Sequence, residues 1–337
     1  MSDAAIPKHA KSRWVRAAVS AAWLVGGGVA AASVAGWLGE FSWRLDLLSH
    51  FRLQYAGLLL PAMLVFAWRR RWAGLGVCGV VWVMNVSVLL PFWWPPPEVT
   101  PEVTTGLRGG GLSVVAWNVF TDNRDYAAAA GWLVGEAADV LALQEVDAAW
   151  VLVMDRQLTG YRRLATPTVR QDNFGLAVYV RDGVGVSGVD WTLDVGGVPR
   201  VEAVVAMRGG GAVRVIAGHT LPPVSGAYAT TRDRQIAELG QRAAASPEPV
   251  VVVGDLNATR FAAPLRRLAR ETDLRDAAGG FGWVGTWPDH LGFTGMIPLD
   301  HAWVGPPLRV EHFAVGPPGL GSDHRPIRVD VSLITPP

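Results

Sequence analysis

Two long uncharged runs dominate the first third of the chain. Ala17–Gly39 and Trp72–Trp94 each hold 23 residues without a charge, more than the roughly 20 that a helix needs to cross about 30 Å of hydrocarbon. Both predict spanning helices. Between them Leu53–Trp68 is uncharged for only 16 residues, and it spans only when extended back to Leu47 with Arg52 reaching the interface along its aliphatic stem. The predicted spans are therefore 17–39, 47–68 and 72–94, within a membrane region 1–97. Phe92, Trp93 and Trp94 suit an aromatic belt, and Pro95, Pro96 and Pro97 stop the last helix. Residues 98–111 read as a linker.

From Leu112 onward the pattern changes to short Val-rich runs bounded by Gly, Pro and Asp, alternating with Ala- and Leu-rich stretches of helical period. Strands are predicted at 112–119, 140–144, 175–181, 201–207, 213–219, 250–254, 299–304 and 326–333. The three glycines Gly209–Gly211 turn 201–219 into a hairpin. Helices are predicted at 126–137, 148–158, 227–244 and 262–269. Mixed sheets and helices over 112–337 predict one α+β domain of two packed sheets covered by helices.

Charge orients this layout. Residues 1–94 carry nine basic side chains against three acidic ones, a balance of +6; since the chain totals +1, the remainder carries −5. The basic clusters Lys8–Arg16 and Arg69–Arg71 flank the same side of a three-helix arrangement, and such clusters stay cytoplasmic. The amino terminus is thus expected inside and the domain after Trp94 outside. A cleaved signal peptide is the alternative for the first segment, with "AAASVAG" as its small-residue end. An acidic domain argues against an enzyme whose affinity comes from neutralising polyanion phosphates. The single cysteine, Cys78, excludes an intramolecular disulfide and a cysteine-rich zinc site.

Polar residues at strand ends carry the chemistry. Asn118 closes "VVAWN", Glu145 closes "LALQE", His219 closes "RVIAGH", Asp255 and Asn257 follow "VVVVGDLN", Asp300 lies in "LDHAW", and Asp323 and His324 open "SDHRPI". Taken singly, each has an ordinary explanation, because Asn and Asp after a strand make turns and a lone His is commonly a hydrogen-bonded structural residue. Six such sites in succession would converge on one rim of a sandwich, which turn chemistry does not require.

The series resembles the endonuclease/exonuclease/phosphatase superfamily, which orders a strand-end Asn, a QE pair, a His or Tyr, GDxN, an Asp near the final strands and a terminal SDH. The resemblance covers nearly the whole domain and implies a four-layer αββα sandwich (DNase-I-like), preceded here by about three transmembrane helices. It also implies a metal-dependent hydrolase that directs water at a phosphate ester or anhydride, with Mg2+ as cofactor and Mn2+ as the alternative. By resemblance the metal lies at Glu145 with Asn118 beside it, and Asp323 joins them directly or by holding His324. The remaining roles fall to His324 and His219 at phosphoryl oxygens, with His219 also protonating a leaving group. Asp255 orients or deprotonates water, Asn257 holds the phosphate, and Asp300 orients a histidine.

One loop departs from a nuclease. Phe281, Trp283, Trp287, Leu291, Phe293, Met296 and Ile297 crowd the approach to Asp300; they form either a buried plug or a surface facing the bilayer, where Trp and Phe are stable. The overall layout resembles the VanJ-type teicoplanin-resistance membrane proteins, a resemblance that implies a membrane-anchored phosphatase of undecaprenyl pyrophosphate or another polyprenyl or membrane lipid, working at the lipid bilayer. The alternatives are a phosphodiesterase on phospholipid headgroups, an extracellular nuclease, and a catalytically dead scaffold.

Overall fold

The computed structural model describes residues 8–94, 110–164, 170 and 172–334, so most of the predicted linker lies outside the described residues. The chain divides into two compact units, Met1–Leu90 and Pro91–Pro337.

The first unit contains α1 (Lys8–Trp37), a short α2 (Trp43–Leu47), α3 (Arg52–Trp68) and α4 (Trp72–Leu89). Three stretches are long and apolar enough to cross a membrane: Arg13–Trp37, Trp43–Trp68 and Trp72–Phe92. The middle stretch reaches that length through α2 and a 3-10 turn, Leu48–Phe51, placed ahead of α3. Small residues let these helices approach closely. A Cβ on Gly26 would stand 2.9 Å from the Ala62 Cβ and 3.2 Å from the Cys78 sulfur, beside a core that includes Leu59, Phe66 and Val81.

Arg52 departs from expectation. It does not reach outward but is 1% exposed, with Nη1 donating to the Ser33 carbonyl at 2.9 Å and its guanidinium 4.8 Å from the Trp37 ring centroid. Asn85 completes the polar knot, donating to Ser33 Oγ at 2.7 Å. A guanidinium inside an apolar bundle is costly unless hydrogen-bonded, and the partners from α1 and α4 are what retain it.

In the second unit the strands are β1 (Leu112–Asn118), β2 (Val140–Gln144), β3 (Tyr161–Arg163), β4 (Leu176–Arg181), β5 (Val186–Leu193), β6 (Pro199–Ala206), β7 (Ala212–His219), β8 (Val250–Asp255), β9 (Arg275–Asp276), β10 (Asp300–Val304), β11 (Leu308–Val315) and β12 (Ile327–Leu333). They form two six-stranded sheets, ordered β11-β12-β1-β2-β4-β3 and β5-β6-β7-β8-β10-β9. Helices α5 (Tyr126–Glu136) and α6 (Ala148–Gln157) pack on the first sheet through Leu133, Trp150 and Met154 against Trp117, Leu141 and Leu143. Helices α7 (Gly226–Ala244) and α8 (Ala263–Glu271) cover the second through Ile236, Leu239, Leu265 and Leu268 against Ile216, Val252 and Trp303. Alternate residues such as Val114, Ala142, Val251 and Val253 point the other way and are also buried. Burial on both faces explains the unbroken valines of "VVVVGD". The result is the α+β four-layer sandwich. The expected hairpin is β6–β7; the short strands β3 and β9 and the edge strands β5 and β11 carry no clear alternation in the sequence.

The chain enters this unit at Pro91–Phe92. Their carbonyls accept hydrogen bonds from the amides of Gly280 and Gly282, and the Phe92 ring packs on Trp283 and Phe261, 5.2 and 6.1 Å between centroids.

Candidate active site

Strand register brings the polar strand ends to one rim. Asn118 at the end of β1 pairs with Gln144, which pairs with Leu176 of β4, while Ile327, just after His324, pairs with Ala116. In the second sheet His219 pairs with Asp255 and Asp255 with Asp300. The two sheets meet where Asn118 Nδ2 donates to Asp255 Oδ2 at 3.0 Å and to Glu145 Oε1 at 2.8 Å. Seven of the eight predicted residues thus form a continuous set: Asn118, Glu145, His219, Asp255, Asn257, Asp300 and His324.

Local backbone geometry serves this convergence. Glu145 and Asn257 adopt left-handed conformations, φ 59° and 46°, which cost about 1–3 kcal/mol each in a non-glycine residue and turn the chain sharply after the strand. Gly254 precedes Asp255 because a Cβ there would stand 1.9 Å from the Gly218 carbonyl oxygen. Asp255 Oδ1 in turn accepts from the Asn257 amide at 2.9 Å, and Asn257 Nδ2 donates to the Thr220 carbonyl at 2.8 Å.

The two histidines differ. His324 Nδ1 lies 2.9 Å from Asp300 Oδ2 and its Nε2 lies 3.7 Å from Asp255 Oδ2. Burial disfavours its charged form, but the carboxylates of Asp300 and Asp255 outweigh burial and raise its pKa to about 10. His219 is fully enclosed, and burial lowers its pKa despite Asp255 at 3.7 Å. Its Nε2 is 3.3 Å from Asn257 Nδ2, which can only donate, so this nitrogen is the unprotonated one. Burial also raises Glu145 to about 7, opposed by its bond from Asn118, and raises Asp255.

Asp323 stands apart. Its Oδ2 accepts from Trp287 Nε1 at 2.9 Å and its carbonyl accepts from the Asp289 amide at 2.8 Å; the His324 ring is held by Asp300. The aromatic loop divides: Trp283, Met296 and Ile297 are buried, while Leu291 and Phe293 are exposed.

Several supporting residues escaped the sequence reading. Thr121 Oγ1 donates to the Glu145 carbonyl at 3.0 Å, and Ser322 Oγ donates to the Asn118 carbonyl at 2.7 Å while accepting from the His324 amide. Thr286 Oγ1 accepts from the Asp300 amide at 3.3 Å. Phe174 lies against His219, 5.4 Å between ring centroids; Trp287, already singled out in the aromatic loop, lies 6.3 Å from His324. Only Ser322 sat within a recognised motif.

The donor set suits a hard cation. Asp255, Asp300 and His324 each offer a ligand atom, all within 4.8 Å of one another, but His324 Nδ1 is taken by its bond to Asp300. The oxygens of Glu145 and Asp255, crowded about Asn118, remain; carboxylate and amide oxygens are what Mg2+ and Mn2+ take.

The Endonuclease/Exonuclease/phosphatase family model matches residues 115–324. No curated protein matches the chain. Among solved structures, a humanized D. rerio TDP2 superposes with a TM-score of 0.55 at 18% identity, covering 66% of this chain and 99% of that one. The mannosyl-6-phosphatase of Bacteroides thetaiotaomicron gives 0.54 at 16%, covering 66% and 100%. The human Nocturnin catalytic domain gives 0.54 at 18%, covering 68% and 97%.

Proposed function

Because the chain belongs to the endonuclease/exonuclease/phosphatase family, whose members are metal-dependent hydrolases of phosphoester bonds, we propose that it is a membrane-anchored, Mg2+-dependent phosphatase acting on a lipid pyrophosphate such as undecaprenyl pyrophosphate, with a part in glycopeptide resistance. One observation carries the substrate class: the chain that bears this site also bears three helices apolar enough to span a membrane.

Glu145, with Asp255 and Asn118 beside it, would hold the metal, which when bound offsets the phosphate's negative charge and orients water. The chain's own groups do the rest. His324, fixed by Asp300, presents a charged Nε2–H to the leaving-group oxygen and gives it that proton as the bond to phosphorus breaks, a role for which the neutral His219 has no proton on Nε2. His219 and Asn257, bonded to each other, shape the wall of the phosphate pocket, and Asp255 orients the attacking water and takes its proton. Asp323 acts at one remove, tying the Trp287 loop to the turn that carries His324.

The test is phosphate release by the full chain in detergent, comparing undecaprenyl pyrophosphate, sphingomyelin and plasmid DNA with and without Mg2+. Preferential release from the pyrophosphate is expected. Cleavage of sphingomyelin or DNA in its place would establish the phosphodiesterase or nuclease reading.

A further inference from the structure

The rim around the site carries several exposed apolar side chains. In the second unit, six of the eleven exposed large apolar side chains among the described residues lie on it: Leu193, Val195, Val224, Tyr228, Leu291 and Phe293. Their placement follows from register. The β5–β6 turn carries Val195, and because Val201 pairs with Ala217 the turn lies at the His219 end of the sheet. Val224 stands five residues beyond His219, at the entry to α7. Leu291 and Phe293 tip the loop whose base is bonded to Asp323 through Trp287 and Asp289. Val195 is 58% exposed, Val224 72%, Leu291 54% and Phe293 58%. The opposite end of the sandwich, where β12 finishes, shows Ile334.

We infer that this rim is a lipid-contacting surface, with the tips at Val195, Val224 and Leu291–Phe293 seated among the headgroups of a bilayer. Exposed apolar tips on three separate loops, all at the mouth of one site, do not stabilise the fold, but an interface would bury them. The bilayer is favoured as occupant because Pro91–Phe92, which close the third apolar stretch, are bonded to Gly280 and Gly282 at the foot of the loop carrying Leu291 and Phe293. Seating the mouth on lipid would let the site take a phosphate head without drawing the lipid's chain into water. The inference deepens the lipid-phosphate reading and rests on it for the substrate, but its test reads contact separately from turnover.

In a Cys78→Ala background of the full chain, Phe293→Cys, Val224→Cys and Ile334→Cys would each carry an environment-sensitive fluorophore. The proteins would be reconstituted in phosphatidylethanolamine/phosphatidylglycerol vesicles containing nitroxide lipid and no pyrophosphate. Probes at 293 and 224 should be blue-shifted and quenched several-fold more than the probe at 334. Equal quenching at the three positions would overturn the inference, whatever the activity. A Val224→Ser/Leu291→Ser/Phe293→Ser variant should lose about tenfold in hydrolysis of a long polyprenyl pyrophosphate in vesicles, while a short water-soluble diphosphate is cleaved within twofold of wild type. Equal loss on both substrates would also overturn it. Strong quenching at 293 and 224 from a protein that releases no phosphate from any lipid would uphold the surface and refute the function.

Discussion

His324 and Asp300 form a buried pair, Nδ1 to Oδ2 at 2.9 Å, with both side chains less than 10% exposed. The carboxylate fixes the ring's orientation and keeps it protonated, which leaves Nε2 as a donor aimed beside Asp255. Asp300→Asn would keep the shape and remove the charge. Turnover should fall on the order of 10²-fold or more with the circular dichroism spectrum unchanged; activity within a few-fold of wild type would detach the pair from catalysis.

Glu145→Gln tests the metal end of the site. The amide keeps the side chain's volume but not its charge, so Mn2+ affinity by calorimetry should drop at least tenfold and phosphate release on the order of 10²-fold. Unaltered Mn2+ binding would move the metal elsewhere.

Gly254→Ala probes the turn that delivers Asp255. Because the new Cβ would meet the Gly218 carbonyl oxygen at 1.9 Å, strands β7 and β8 must separate, at a cost of about 1–3 kcal/mol or more. Thermal unfolding of the full chain in detergent should show the lowered midpoint, and a wild-type midpoint would contradict the packing described.

The polar knot in the first unit yields a stability prediction. Asn85→Leu removes a partner from Ser33 and Arg52 and should cost about 1–3 kcal/mol by stranding buried polar groups. The exposed Ser87 provides the comparison: Ser87→Ala should leave the midpoint where it is.

The basic clusters predict an orientation. A reporter fused after Pro337 should be active only outside the cytoplasm and one fused at Arg70 only inside. Protection of the second unit from protease in intact spheroplasts would reverse the assignment.

Much of this protein is written in its sequence because the relevant forces are local or periodic. Uncharged runs of 23 residues mark candidate spans whatever their neighbours, since hydrocarbon thickness sets the length required. Doubly buried segments such as 250–253 appear as unbroken valine, and the GDLN and SDH segments stand out because their turns tolerate few residue types. What the linear pattern lacked was distance. Arg52 looked like a residue heading for the interface, and only helix packing supplied Ser33, Asn85 and Trp37 as reasons to stay buried. The two histidines look alike in sequence, and tertiary structure separated them: Asp300, which lies 24 residues before His324 in the chain, holds one charged, while complete burial keeps the other neutral. The aromatic loop was likewise undecided, because whether Trp283 or Phe293 is covered depends on which of them meets Phe92, a contact between segments almost two hundred residues apart. Periodicity records the environment of each element; charge state and exposure at the site are set by partners that the fold brings from elsewhere in the chain.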